Sequence, residues 1–342
     1  MTGSAPLHFI CIAIFFGLVG KIALAQDGEL PGPSRRIIDT TLELRARTTS
    51  IRLPFGLLSH EYRSRSEFDG ILGKGWCTFF YPKGRGIGFK YFAVESKVIL
   101  SRDSVSIQSC GVIESDDIYR MPQGSPGNRS LAELREAGDV ILYSSDKSKT
   151  ARLSKSGVSL HVYSERVQTF GENGLLVAVH GVEIQYNEHN RPTRFSSGSG
   201  DFASLEYGNQ LLTGVFAGSG ALASFGYKGG QVSSIVDSNK NRTEYFYGKS
   251  SNLQFIIEKE KPVKVYFYDE LHDVVTSDLS LYEDGRVCGV MFSRISGKQA
   301  YKNQSASFCG GRITKESHVT VRRSIDGKPN YESQVRLPGQ SD

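Results

Sequence analysis

Four consecutive stretches decide the fold: YNEHNRPTRFSSGSGDFASLE (residues 186–206), YGNQLLTGVFAGSGALASFG (207–226), YKGGQVSSIVDSNKNRTEYF (227–246) and YGKSSNLQFIIEKEKPVKVYF (247–267). Each opens on a tyrosine, and a fifth follows, so Tyr186, Tyr207, Tyr227, Tyr247 and Tyr268 recur at intervals of 21, 20, 20 and 21 residues. A second apolar residue stands nine positions after each of the first four: Phe195, Phe216, Val236 and Ile256. A period near 20 is too short for a pair of helices and suits one β-hairpin stacked sideways on the next. Gly/Asn/Ser clusters such as 197–200, 218–220 and 237–241 supply the turns. A lone hairpin is marginal in water, so stacking must bury the tyrosines and the +9 residues in two rows. The expected architecture is all-β, with antiparallel hairpins forming a twisted, spiralling sheet whose ends need caps.

Outward from the repeats, the pattern stays strand-like. Leu42, Leu44 and Ala46 alternate with Glu43, Arg45 and Arg47. Further strand runs are read at 57–63, 88–94, 97–101, 105–108, 140–144, 158–163, 287–294 and 318–323, with turns at 283–285 and 324–329. The helix candidate is 130–137, where Ser130 and Glu133 have capping-box spacing and Gly138 ends the segment. The resulting division is 1–25 signal peptide, 26–40 linker, 41–165 N-terminal β domain, 166–277 repeat sheet and 278–342 C-terminal β cap and tail.

The signal peptide rests on an apolar run over 9–20, then Lys21 and Ala23-Leu24-Ala25 before Gln26. Twelve residues are too few to cross a hydrocarbon core of about 30 Å, and no transmembrane span is expected after cleavage. The location this implies is secreted or periplasmic. Cleavage removes Cys11 and leaves Cys77, Cys110, Cys288 and Cys309. An even count in an exported chain favours disulfides. Three connectivities are open; Cys77 with Cys110 and Cys288 with Cys309 closes the shortest loops, and free buried thiols are the rival. No pair has zinc-ligand spacing.

There are 41 basic and 36 acidic residues, a formal charge of +5 that becomes +4 once Lys21 is cleaved. That mild excess, spread along the chain, does not make a nucleic-acid footprint. No two of the seven histidines have i,i+2 or i,i+4 spacing. His272-Asp273 would point to opposite faces of a strand. The glycines at 84–88 lack the Gly-Lys-Ser/Thr ending of a phosphate loop, and the basic-aromatic stretch 83–92 reads foremost as an alternating strand. Glu258, Glu260, Asp269 and Glu270 are interleaved with lysines as on a wet face. Asn128, Asn241 and Asn303 head N-x-Ser/Thr sequons. No catalytic, cofactor or metal residue is assigned, and the chain is expected not to be an enzyme. Trp76, beside Cys77, is expected to pack on the sheet's apolar row.

Two sets of residues resemble one family, the RHS/YD-repeat proteins. The first is Tyr62-Arg63-Ser64 followed by Leu72-Gly73-Lys74-Gly75-Trp76, similar to the Y-x-S and L-G-x-G-W lead-in of bacterial members. The second is the tyrosine-led repeat itself, with Tyr268-Asp269 as the name-giving dipeptide. The resemblance implies a shell of YD hairpins, which in large members encloses a toxic C-terminal domain. The repeats here are too few to close a container. No aspartyl self-cleavage segment or effector domain is read after Asp269, so the scaffold carries over and the toxin does not. The expected function is a non-catalytic exported scaffold that contacts a protein or glycan at the cell envelope. The alternatives are a reduced shell component of a toxin or secretion system, or an envelope hydrolase.

Overall fold

The computed structural model describes residues 35–38, 43–47, 50–64, 66–83, 92–122, 130–162, 165–218, 220–269, 274–296, 300–323 and 329–336. Almost all of them lie in antiparallel strands, and the helix among them is Leu131–Ala137. Its capping box forms as the sequence spells it: Ser130 Oγ accepts from the Glu133 backbone N–H, and Glu133 reaches back to the Ser130 N–H. The signal segment, His272-Asp273, residues 84–91 of the basic-aromatic stretch and the turn at 324–328 lie outside the described residues.

The chain divides into two compact units, one holding residues 34–36 and 43–253, the other 37–42 and 254–342. In the first, consecutive strands from Ser96–Leu100 to Arg242–Tyr247 form one long sheet in which neighbours in sequence are neighbours in space. The second carries the strands Val263–Asp269, Val274–Leu281, Val287–Ser296, Ala300–Cys309, Arg312–Arg323 and Pro329–Arg336, paired in that order. Strands at Val112–Arg120, Lys149–Ser154, Glu165–Phe170 and Ala300–Cys309 were not read from the sequence, and Arg35–Ile38 is a strand inside the segment read as linker.

Period-two burial explains the strands. Val182 and Ile184 are buried while Glu183 and Gln185 are exposed, and Ala203 and Leu205 are buried beside exposed Glu206. The tight connections put both central residues at positive φ, as in Asn209-Gln210 (50° and 66°) and Gly229-Gly230 (59° and 79°). That geometry matches the strand twist, which is why these turns close hairpins.

A second, smaller sheet of six strands includes Arg35–Ile38, Glu43–Arg47, Ile51–Leu53, Gly56–Arg63, Trp76–Pro82 and Phe92–Ala93. One face of it supplies Leu58, His60, Tyr62, Trp76 and Phe80. That face packs on the repeat sheet: the Phe80 ring lies 5.9 Å from Phe195, His60 5.6 Å from Phe225, and Trp76 5.1 Å from Tyr245. Trp76, Phe80, Phe195 and Leu58 are fully buried, so the two sheets fill each other and the core lies between them.

A hairpin turn meets strand Ser96–Leu100 on the side away from its partner Ser104–Ser109. Val98 donates its N–H to Gly174 O at 2.8 Å, and Lys97 forms a bridge with Leu175. Such contacts occupy backbone groups that would otherwise be a template for unwanted pairing.

Candidate functional site

Tyr186, Tyr207, Tyr227 and Tyr247 line up in the repeat sheet, each half-buried. The cross-strand register shifts at Tyr186, Tyr207, Tyr227 and Tyr268, with the extra residue on the partner strand at Thr193, Thr213, Ser233 and Thr276. The tyrosines of the first three keep the alternation of their own strands, on the face of Ile184, Leu205 and Phe225, and the bulge interrupts the alternation of the partner strand instead. Across the strand, Tyr186 pairs with Pro192, Tyr207 with Leu212 and Tyr227 with Val232. The hydroxyl of the next tyrosine then donates to the carbonyl of that same partner: Tyr207 to Pro192 O at 2.7 Å, Tyr227 to Leu212 O at 2.6 Å, Tyr247 to Val232 O at 2.8 Å. Tyr186 donates to Leu176 O at 2.6 Å. Each phenol thus ties its hairpin to the one before it. Burial pushes the ionisation of these four phenols well above the ordinary tyrosine range, so they remain donors at any physiological pH. Tyr268 is half-buried and belongs to the second unit.

The second apolar row needs a correction. Phe195 and Ile256 are buried at +9, but Phe216 and Val236 are only half-buried; the buried residues there are Val215 and Ile235. The cause is turn length. Tyr186 meets Pro192 across a turn in which Asn187 Oδ1 accepts from the N–H groups of His189 and Arg191, whereas Tyr207 and Tyr227 meet Leu212 and Val232 one residue sooner. In a strand a one-residue shift exchanges the faces. Counted from the tyrosine's partner, the row is regular: Phe195, Val215 and Ile235 each stand three residues beyond Pro192, Leu212 and Val232.

The lead-in residues form the hub of the small sheet. Tyr62 donates from its hydroxyl to Asn252 Oδ1 at 3.3 Å and accepts from the Leu253 N–H at 3.2 Å. Ser64 Oγ accepts from the Leu44 N–H at 3.0 Å. Leu72 is fully buried. Gly73 and Gly75 have φ of 90° and 81°, and a Cβ on Gly73 would stand 2.6 Å from Gly230 O, so the backbones of lead-in and repeat turn touch where a side chain has no room. Beside it the Leu212 N–H donates to Ile71 O at 2.8 Å. Trp76, with no exposed surface, donates its indole N–H to the Tyr247 hydroxyl at 3.0 Å. The lead-in and the repeat are therefore two parts of one packing device.

Sequence reading passed over Glu95, because a single carboxylate beside a strand carries no motif. Its side chain is 9% exposed and lies 3.8 Å from Arg191 Nη1. Its oxygens accept from the backbone N–H groups of Ile71 at 2.6 Å and Thr78 at 3.4 Å. Burial raises its pKa to about 7, against the opposing pull of the Ile71 N–H, Arg191 and the Thr78 N–H. On the far side of Thr78, fully buried His60 contacts Thr78 Oγ1 through Nδ1 at 3.2 Å, and burial lowers its pKa to about 3.

Cys77 is paired with Cys110 at a Cα separation of 5.7 Å, and Cys288 with Cys309 at 4.0 Å. The first pair sits in a buried cluster with Phe79 and Ala93, packed by Phe68 and Tyr81. The second joins directly opposed residues of adjacent strands. Of the sequon asparagines, Asn241 is exposed in a turn and Asn303 is buried beside Arg294. Glu258 pairs with Lys261 on the surface. Among the described residues no group of three His, Cys, Asp or Glu side chains is arranged to hold a metal ion, and no helix is long and apolar enough to cross a membrane.

No family model matches the chain, and no curated protein matches it. Among solved structures it is similar to TcdB2-TccC3-TEV, at 11% identity and a TM-score of 0.28 over 81% of this chain and 14% of that one. It is also similar to TcdB2-TccC3 without its hypervariable C-terminal region, at 12% identity and a TM-score of 0.26 over 85% of this chain and 19% of that one. A third is the Photorhabdus luminescens Tc holotoxin pore carrying a TccC3 mutation, at 10% identity and a TM-score of 0.19 over 81% and 15%. The chain spans under a fifth of the length of each of these proteins.

Proposed function

We propose that this chain is a non-catalytic, exported scaffold that binds a protein partner through an outer sheet face. The observation that carries the reading is a set of apolar side chains on three adjacent paired strands of the second unit. Phe267 is paired with Ser277, and Ser277 with Met291; Val263 is paired with Leu281, and Leu281 with Val287. Phe267 is 40% exposed, Leu281 37% and Met291 50%. Val265 and Leu279, between them on the same face, are buried, and exposed aromatic and methionine side chains flanking such a pair suit a protein partner better than a polar glycan. In the first unit the small sheet occupies one face of the repeat sheet, which supports a supporting role for that unit. The paired cysteines fit an oxidising compartment.

The test is retention of envelope proteins by the immobilised chain, compared with Phe267→Glu/Met291→Glu. The reading expects defined proteins to be retained by the wild type and lost by a variant of unchanged melting temperature. Equal retention by both rejects this face, and no retention by either rejects the scaffold. The Tyr62-Arg63-Ser64 and Leu72-Gly73-Lys74-Gly75-Trp76 lead-in favours a second reading, a reduced shell component that accompanies a larger RHS relative; co-purification with such a relative would support it.

A further inference from the structure

We propose that Glu95 is a pH-sensitive latch between the lead-in and the repeat sheet, tight in acid and loosened toward neutral pH. The geometry is that of a clasp. One carboxyl group accepts from Ile71 in the lead-in loop and from Thr78 in the small sheet, and it faces Arg191 at the end of a repeat turn. Ile71 in turn accepts from Leu212 in the next hairpin, so the loop that Glu95 holds is the one that docks on the repeats. Gly70 backs onto the carboxyl closely enough that a Cβ there would stand 3.0 Å from Oε1.

The groups around Glu95 fix the sign. Arg191 is the cation that faces it; Asp69 opposes its charge, and the phenols of Tyr186, Tyr207 and Tyr227 lie on the repeat side. Those phenols stay neutral. Glu188 and His189 on the same turn pair with each other in solvent, and Glu61 pairs with Arg63 within the small sheet. His60, beyond Thr78, is held neutral down to about pH 3. Within the window that matters, Glu95 is thus the buried group whose charge changes. Arg191 and two N–H groups do not offset the loss of water around the carboxylate, so the neutral form fits the site better. Opening the latch returns the group from about 7 to its ordinary value of 4.5. The latch is therefore fully engaged below pH 4.5, weakens as pH rises to about 7, and changes no further above that.

The experiment is amide hydrogen exchange on the full chain, with rates corrected for intrinsic exchange, from pH 4.5 to 8. Wild type is compared with Glu95→Gln, which removes the charge and keeps one acceptor oxygen for the 2.6 Å bond from the Ile71 N–H while giving up the longer one from Thr78. The ratio of opening constants, wild type over variant, at Ile71, Thr78 and Leu212 should rise about tenfold per pH unit between pH 5 and 6.5 and level off above 7. At Ser204 and Ser224, within the repeat strands, the ratio should stay flat. A ratio constant within about threefold at the three latch amides overturns the proposal. Carboxyl-carbon NMR of the wild type provides a measurement that needs no variant: a Glu95 signal titrating near 7 supports the latch, and one titrating below 5 rejects it.

Discussion

The indole N–H of Trp76 donates to the hydroxyl of Tyr247 at 3.0 Å, and that hydroxyl donates onward to Val232 O at 2.8 Å. A lead-in residue and a repeat residue thus share one hydrogen-bonded chain, buried against Tyr62 and Tyr245. Replacing Trp76 by Ala removes the largest fully buried side chain among the described residues. We expect a loss of about 3–5 kcal/mol in denaturant unfolding. Trp76→Phe keeps most of the ring and removes the donor, and should lose less. Equal melting temperatures for wild type and Trp76→Ala would refute the packing role.

The ladder of phenols can be tested one rung at a time. Tyr207→Phe and Tyr227→Phe each delete a hydroxyl that satisfies a carbonyl of the preceding hairpin. Each should lower stability by about 1 kcal/mol. If these hydroxyls only faced solvent, both variants would unfold with the wild type.

Gly73 tests the contact between lead-in and repeat. Its φ of 90° and the 2.6 Å approach of a built Cβ to Gly230 O leave alanine both strained and crowded. Gly73→Ala should cost about 1–3 kcal/mol, read as a lower denaturation midpoint. Gly229→Ala, where a Cβ meets nothing within 4 Å, carries only the strain of its φ of 59° and should cost less.

Global stability against pH should carry two opposed slopes. Glu95 contributes stability that is complete below 4.5 and is lost as pH rises through about 7. His60, lowered from 6.5 to about 3, contributes stability that is complete above 6.5 and is lost as pH falls toward 3. Each slope is about 1.4 kcal/mol per pH unit, and between pH 4.5 and 6.5 they nearly cancel. Glu95→Gln should therefore uncover acid sensitivity beginning near pH 6.5, measured by thermal melting. Parallel wild-type and variant profiles would show that Glu95 is not titrating in this range.

The cysteine pairs make a direct chemical prediction. A non-reducing peptide map should link the Cys77 peptide to that of Cys110 and the Cys288 peptide to that of Cys309. The closed loops span separations of 33 and 21 residues, and opening either should cost about 3–4 kcal/mol. Free thiols at all four positions would remove this contribution.

The recurrence of Tyr186, Tyr207, Tyr227 and Tyr247 was enough to declare stacked antiparallel hairpins, because an alternating strand between polar turns can bury only one face and must stack to do so. Ser130 and Glu133 likewise declared the helix start, since a capping box is a local interaction. The second apolar row misled at Phe216 and Val236: whether a turn holds one residue more or less is set by cross-strand pairing, and a single residue moves a side chain to the other face. What the phenols bond to, why Gly73 has to be glycine, and the position of Glu95 under Arg191 depend on contacts between residues far apart in the chain. Such contacts leave no period in a sequence. They exist only once the small sheet has closed over the repeats, where loss of water gives an ordinary carboxylate an unusual pKa and one indole N–H a fixed partner.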